Sequence, residues 1–272
     1  MIHPFDTAIA LVAAEPGNFT GCTSPAYENM VGPYGGITAA VLVQAVSLHP
    51  ECLGEMTALT VNYASGVAPG PYRIMAAPAR TNRSTQHWVI SLVQVNKAGI
   101  EETVITATAL TAVRRDTWHA NDMPIPAVPG PCALVRTRLN APMQWLMRYD
   151  MRFVRGEIPH AMDGSGTDSL SQLWVQDDPP RRLDAAGLAA MSDVFYPRIY
   201  LRRATRVPAG TVSMTIYFHA STAEMAENGL GYLFAQGQAQ AFRHGFFDQT
   251  AQLWSESGIL LATSHQLVYY KE

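Results

Sequence analysis

A pattern that occurs twice constrains this chain more than any single motif: an apolar helix followed by four strands, once in each half. In the first half Gly35-Gly36 opens the apolar run ITAAVLVQAVSL, which stops at His49-Pro50. Glycines at a helix start let backbone or ligand come close. Strand-like segments follow: TALTVNYA from Thr57, YRIMAAPARTN, QHWVISLVQVN, a tight turn at Lys97-Ala98-Gly99, and IEETVITATALTAV. An earlier strand is expected over Phe19 to Ser24. The second half repeats this texture. Gln144 to Val154 and Ser169 to Gln176 read as strands, and DAAGLAAMSDVFYPRIYLRR, Asp184 to Arg203, reads as a nearly all-apolar helix. VSMTIYFH, YLFAQGQAQAF and FFDQTAQLWS come next, then a turn at Glu256-Ser257-Gly258 and ILLATSHQLVYY.

The repeat is visible in letters as well. TALTVNYA and VSMTIYFH match position by position at a spacing of about 155 residues. Carried back through the helices, that spacing places Thr38 opposite Asp193. The region from Arg114 to Arg136 is proline-rich and aperiodic, which marks a linker. The expected organisation is therefore residues 1–113, a linker over 114–136, and a second unit over 137–272.

Asp193 is the one carboxylate inside the second helix. An all-apolar helix is normally buried, and a buried carboxylate costs free energy unless it is hydrogen-bonded or used. Asp184 can cap this helix, and Pro197 breaks or bends it near Tyr196.

Composition narrows the function classes. Charged residues are 15% of the 272, against about 25% in a typical soluble domain, which suggests surface hidden in a homo-oligomer. A net charge of −3 without a Lys/Arg block gives no field for nucleic acid. Cys22, Cys52 and Cys132 are odd in number and widely spaced, which fits neither a disulfide framework nor a zinc site. A reducing, cytoplasmic setting is expected. The first residues have no basic region ahead of their apolar run, so they read as mature protein. No eighteen-residue apolar run suggests a membrane span.

Several segments together resemble the acyl-CoA thioesterase II family and its thioesterase-like relatives: Ser192-Asp193, TVSMTIYFH from Thr211, ATSHQ ending at Gln266, and GPYGGITAAVLVQA in the first half. The resemblance covers Gly32 to Tyr270 apart from the linker. It implies an α+β double hotdog, two tandem units each with a central helix wrapped by an antiparallel sheet, joined edge to edge; the low charge content adds the expectation of a homo-oligomer, a dimer of double hotdogs. It also implies acyl-CoA as substrate, and a water positioned for attack on the thioester by Asp193, Thr211 and Gln266. The chain departs from the family pattern at Leu267-Val268, where an acidic residue and Gly are common, and at Ser213-Met214, which replace an Asp-His pair.

The residue types suit that chemistry. A carboxylate near apolar walls gains basicity, while a hydroxyl and an amide can orient a water through neutral hydrogen bonds. Gly35 and Gly36 are candidates to meet the oxyanion with backbone N–H groups. Tyr34, Phe195, Tyr196 and Trp88 are candidates to line an acyl tunnel. Arg203, with Arg202 and Arg206, is a candidate to meet the phosphates of coenzyme A. The repeat places Met56 opposite Thr211, and aligning the two tight turns places Ala107 opposite Gln266, so one active site per chain is expected, armed by the second half.

Other chemistries fit less well. There is no G-x-S-x-G elbow, the histidines His87, His219 and His244 are scattered, and no metal-ligand spacing or cofactor motif occurs. The competing readings are an acyl-thioester binding protein without turnover and a hotdog-type hydratase. The latter needs a His near Asp193, and DVFYPRIY supplies none. Nothing in the letters fixes the acyl group.

Overall fold

A computed structural model describes residues 2–138 and 143–272. The elements run α1 (Pro4–Ala8), β1 (Val12–Glu15), β2 (Asn18–Cys22), α2 (Gly35–Ser47), β3 (Glu55–Tyr63), β4 (Pro71–Thr81), β5 (Thr85–Val95) and β6 (Glu101–Ala112) in the first half. The second half has β7 (Tyr149–Arg155), β8 (Ser171–Asp177), α3 (Ala185–Met191), α4 (Arg198–Arg202), β9 (Ala209–Phe218), α5 (Thr222–Asn228), β10 (Leu233–Gln238), β11 (Phe242–Arg243), β12 (Phe246–Ser255) and β13 (Leu260–Tyr270).

The main path of the antiparallel sheet is β1-β2-β4-β5-β6-β3-β9-β13-β12-β10-β8-β7. Read outward from the β3–β9 junction, the two halves have the same order, which is the double hotdog. At the junction Thr60 lies opposite Thr215, and their hydroxyls are 3.0 Å apart. These two residues are counterparts in the sequence repeat, so the local two-fold axis passes between them. Pairing β3 with β9 satisfies one edge of each half internally.

Helix α2 is buried over most of its length, from Gly36 to Val46, as its nearly continuous apolar sequence requires. It packs on α3 inside the curve of the sheet. Alternation then sorts each strand: on β12 Phe247, Gln249 and Ala251 are buried while their neighbours are partly exposed.

Four details differ from the sequence expectations. The stretch from Asp184 to Arg203 is not one helix. Asp184 does cap α3, accepting from Gly187 N at 2.8 Å, but α3 ends at Met191 and α4 begins only after Pro197. Asp193 therefore lies beyond a helix end, whereas Thr38 is in the first turn of α2, and the repeat spacing does not carry through the helices. The expected strand from Gln144 begins as a 3-10 turn over Gln144–Arg148. Helix α5 was not anticipated, although its capping box, Ser221 with Glu224, is a sequence signature of a helix start.

The linker is not free chain. Ile125, Val128 and Leu134 cover Trp174, Phe234 and Trp254 on the outer face of the second half. The two indoles donate to linker carbonyls, Trp254 to Met123 at 3.0 Å and Trp174 to Pro129 at 2.8 Å. Arg114 donates to carbonyls of both halves, Met56, Phe218 and Ala220. Extended proline-rich chain suits this strapping, because it leaves backbone carbonyls free to accept.

Candidate active site

The site forms where the start of α2 meets the end of α3. Gly35 and Gly36 are there because nothing larger fits. A Cβ on Gly36 would lie 2.4 Å from Ala190 O, and one on Gly35 would lie 2.8 Å from Asp193 Oδ2. The approach is held by Tyr34, whose hydroxyl donates to Ala190 O at 2.6 Å and whose ring stacks on Trp145 at 4.2 Å. Tyr63 donates to Gly35 O at 2.9 Å.

Asp193 is fixed from three directions. Its own N–H bonds Ala190 O at 3.1 Å as the last turn unwinds. Gln266 Nε2, on β13, donates to its Oδ1 at 2.8 Å, and the backbone N–H of Gly36 hydrogen-bonds the carboxylate from the other half of the chain. Thr211, on β9, donates in turn to Gln266 Oε1 at 3.2 Å. The three residues thus form one chain, Thr211 to Gln266 to Asp193. Gln266 also donates to Met214 Sδ at 3.4 Å, so both of its amide N–H groups have acceptors. Burial raises the Asp193 carboxyl from 3.8 to about 7, against the opposing pull of the Gln266 and Gly36 hydrogen bonds. Asp193 keeps a partly accessible side, which borders a cavity.

That cavity has a volume of about 480 Å³ and is walled largely by aromatic and apolar groups, including Tyr34, Tyr63, Trp145, Phe195, Tyr196 and Phe247. Thr211, Gln249 and Gln266 add polar atoms. The N-terminus of α2 opens into it, where the first backbone N–H groups of a helix lack intrahelical partners. Among the described residues no histidine lines this cavity, and no group of three His, Cys, Asp or Glu side chains could hold a metal ion.

The segment carrying Asp193 is anchored by Arg198, a fully buried guanidinium. It donates to the carbonyls of Tyr196 and Ser169 and to the Ser171 hydroxyl, and it lies over the Phe195 ring. Burial pushes it down to about 9.

Among the described residues the first half has no counterpart of the trio Asp193, Thr211 and Gln266. The bulge that places Thr211 opposite Val268 and Ser213 opposite Leu267 recurs as Met56 opposite Thr111 and Ala58 opposite Leu110. In that register Gln266 corresponds to Ala109, not Ala107. The alignment by turns fails because the first-half hairpin is longer, and hairpin length is free to change where ladder register is not. Gln249, opposite Gln266, corresponds to Trp88, opposite Ala109. Trp88 fills the equivalent space: it is 1% exposed, donates to Thr111 at 3.1 Å and packs edge-on against His49. It lines no tunnel.

Of the residues singled out from sequence, Asp193, Thr211, Gln266, Gly35, Tyr34 and Phe195 border one cavity, and Gly36 touches Asp193 from behind. Arg203 does not join them. It lines a separate groove with Arg202 and Arg243 and pairs with Glu272. Sequence reasoning missed Gln249 and Tyr63. The alternation of FFDQTAQLWS already put Gln249 on the same side as Phe247 and Leu253, which was a readable signal.

Family models and solved structures resemble this chain over most of its length. A family model described as the acyl-CoA thioesterase N-terminal domain matches residues 24–112, and one described as the acyl-CoA thioesterase C-terminal domain matches residues 116–270. A hot dog fold protein of unknown function from Alicyclobacillus acidocaldarius is 42% identical, with a TM-score of 0.93 over 100% of this chain and 99% of that one. A candidate thioesterase II from Thermobifida fusca is 21% identical, with a TM-score of 0.80 over 98% and 97% of the two chains. An acyl-CoA thioesterase II from Mycobacterium marinum is 16% identical, with a TM-score of 0.75 over 98% of each. No curated protein matches the sequence.

Proposed function

This chain belongs to the acyl-CoA thioesterase family, and on that premise we propose that it hydrolyses acyl-CoA thioesters with a water activated by Asp193. The observation that carries this reading is a carboxylate brought to about 7 by burial at the wall of an apolar cavity. A general base is most effective when its pKa lies near the working pH.

In the proposed reaction the free side of the carboxylate takes a proton from water while the water oxygen bonds the thioester carbon. The tetrahedral oxyanion faces the open N–H groups at the start of α2, where the helix dipole favours negative charge. Collapse breaks the C–S bond, and the proton held by Asp193 passes to the departing sulfur, leaving free acid and coenzyme A. Gln266 and Thr211 act as positioning residues in this scheme: Gln266 fixes one carboxylate oxygen so that the other points into the cavity, and Thr211 fixes Gln266. Of the two glycines, Gly35 takes the oxyanion role in this proposal, since the N–H of Gly36 already donates to the Asp193 carboxylate. A hydratase would need a second proton carrier at the acyl chain, and no histidine among the described residues of the cavity wall offers one.

The test is thiol release from short, medium, long and aromatic acyl-CoA substrates, comparing wild type with Asp193→Asn. A fall on the order of a hundredfold or more is expected for whichever substrate is turned over. A folded wild type that binds acyl-CoA but releases no thiol would make the protein a binding module.

A further inference from the structure

The mechanism above has no use for Gln249, a buried amide beside the reacting groups. It lies opposite Gln266 in the β12–β13 ladder, is 3% exposed and borders the cavity that holds Asp193. Among the described residues its side chain has no hydrogen-bond partner, in contrast to Gln266, which is bonded to Thr211, Asp193 and Met214. Its neighbours on the same strand face, Phe247 and Ala251, are apolar. Its polar atoms are not sealed in the core but open onto the cavity, where a bound group can complete their hydrogen bonds. The fold does not demand an amide here, since the corresponding position in the first half is Trp88.

We propose that Gln249 reads the acyl group, and that the substrates are acyl-CoA thioesters carrying an oxygen substituent, hydroxyl or oxo, within the first few carbons of the thioester carbonyl. This rests on the hydrolytic reading above. The chemistry matches: the amide N–H groups donate to an oxo or hydroxyl oxygen, and the amide oxygen accepts from a hydroxyl. The distance matches too. Facing residues of antiparallel strands lie about 4.5–5.5 Å apart, so Gln249 is one strand spacing from the residue that holds Asp193. An acyl chain whose carbonyl is at Asp193 passes Gln249 within a few bonds. A site built around a hydrogen bond to the substrate discriminates strongly against the analogue that lacks it, because its own polar group is then left unpaired.

The experiment compares kcat/KM for butyryl-CoA with that for its β-hydroxy and β-oxo derivatives, in wild type and in Gln249→Met, which keeps the volume and removes the amide. Wild type is expected to favour an oxygenated substrate, and the variant to lower that preference about 10- to 100-fold. An unchanged preference, or an equal loss on all three substrates, would overturn the proposal; the equal loss would place Gln249 at the reacting centre. Gln249→Trp, which copies Trp88, is expected to block binding of all three, and normal binding would show that the acyl group does not pass this residue. If wild type releases no thiol from any acyl-CoA, the hydrolytic reading fails. Dissociation constants of the matching non-hydrolysable thioethers then decide the specificity separately, with equal affinity for plain and oxygenated forms overturning it.

Discussion

Replacing Asp193 with Asn should move stability and activity in opposite directions, and the size of the first effect follows from the site. The carboxyl titrates near 3.8 in an unfolded chain and near 7 in the folded one. Between those values the native state holds a proton that the unfolded chain has released, so stability from this group is full below pH 3.8 and is lost as pH rises through about 7. At 1.36 kcal/mol per pH unit, the gap corresponds to a cost of at most about 4 kcal/mol for carrying the charge above pH 7. Asparagine removes that charge and keeps an oxygen to accept from Gln266. Its NH2 group then faces the N–H of Gly36, which loses its acceptor at a cost of about 1–2 kcal/mol. The net expectation is a variant more stable than wild type by about 2–3 kcal/mol at pH 8 and less stable by about 1–2 kcal/mol near pH 4, where the wild-type carboxyl is protonated and only the Gly36 cost remains. Chemical denaturation at the two pH values measures this. Asp177, also raised to about 7 by burial, leaves a residual pH slope in the variant. A variant less stable than wild type at pH 8, or one with the wild-type slope, would refute the claim that Asp193 is held charged at a cost in stability.

The same titration makes kcat rise with pH through about 7 and then level off, since the base must be deprotonated; a flat profile in the wild type would count against it. Gln266→Met removes the donor that pulls the Asp193 carboxyl down, so the midpoint of that profile should move to higher pH and kcat should fall. A loss of rate with no movement of the midpoint would separate Gln266 from Asp193. Gly36→Ala should lower the thermal midpoint clearly, because its Cβ would lie 2.4 Å from the Ala190 carbonyl oxygen and overpacking typically costs about 1–3 kcal/mol. Arg203→Ala should leave KM and its salt dependence as in wild type, since Arg203 pairs with Glu272 on a groove apart from the Asp193 cavity. A rise in KM that weakens with salt would return it to the phosphate site.

The sequence by itself determined the duplicated architecture, because period-two and nearly all-apolar segments admit few burial schemes and here occur twice in one order. It also marked Asp193, a lone carboxylate in apolar surroundings, and, through the family resemblance, Thr211 and Gln266. It did not determine where the second helix stops. From Ala190 to Pro197 the chain finds partners outside its own helix: Tyr34 and Gly36, distant in sequence, bond Ala190 O and the Asp193 carboxylate, and Arg198 bonds Tyr196 O. Nor did it determine that the trio is a single hydrogen-bonded chain, since Asp193 and Gln266 meet only when α3 ends against the face of β13. The occupied first-half site was equally hidden: Trp88 reads as a candidate liner until ladder register shows it filling the space that Gln249 leaves open. Local periodicity fixes which face of an element is buried. Which side chains share a cavity depends on strand register and on how closely two helices approach, and those are properties of the packed whole.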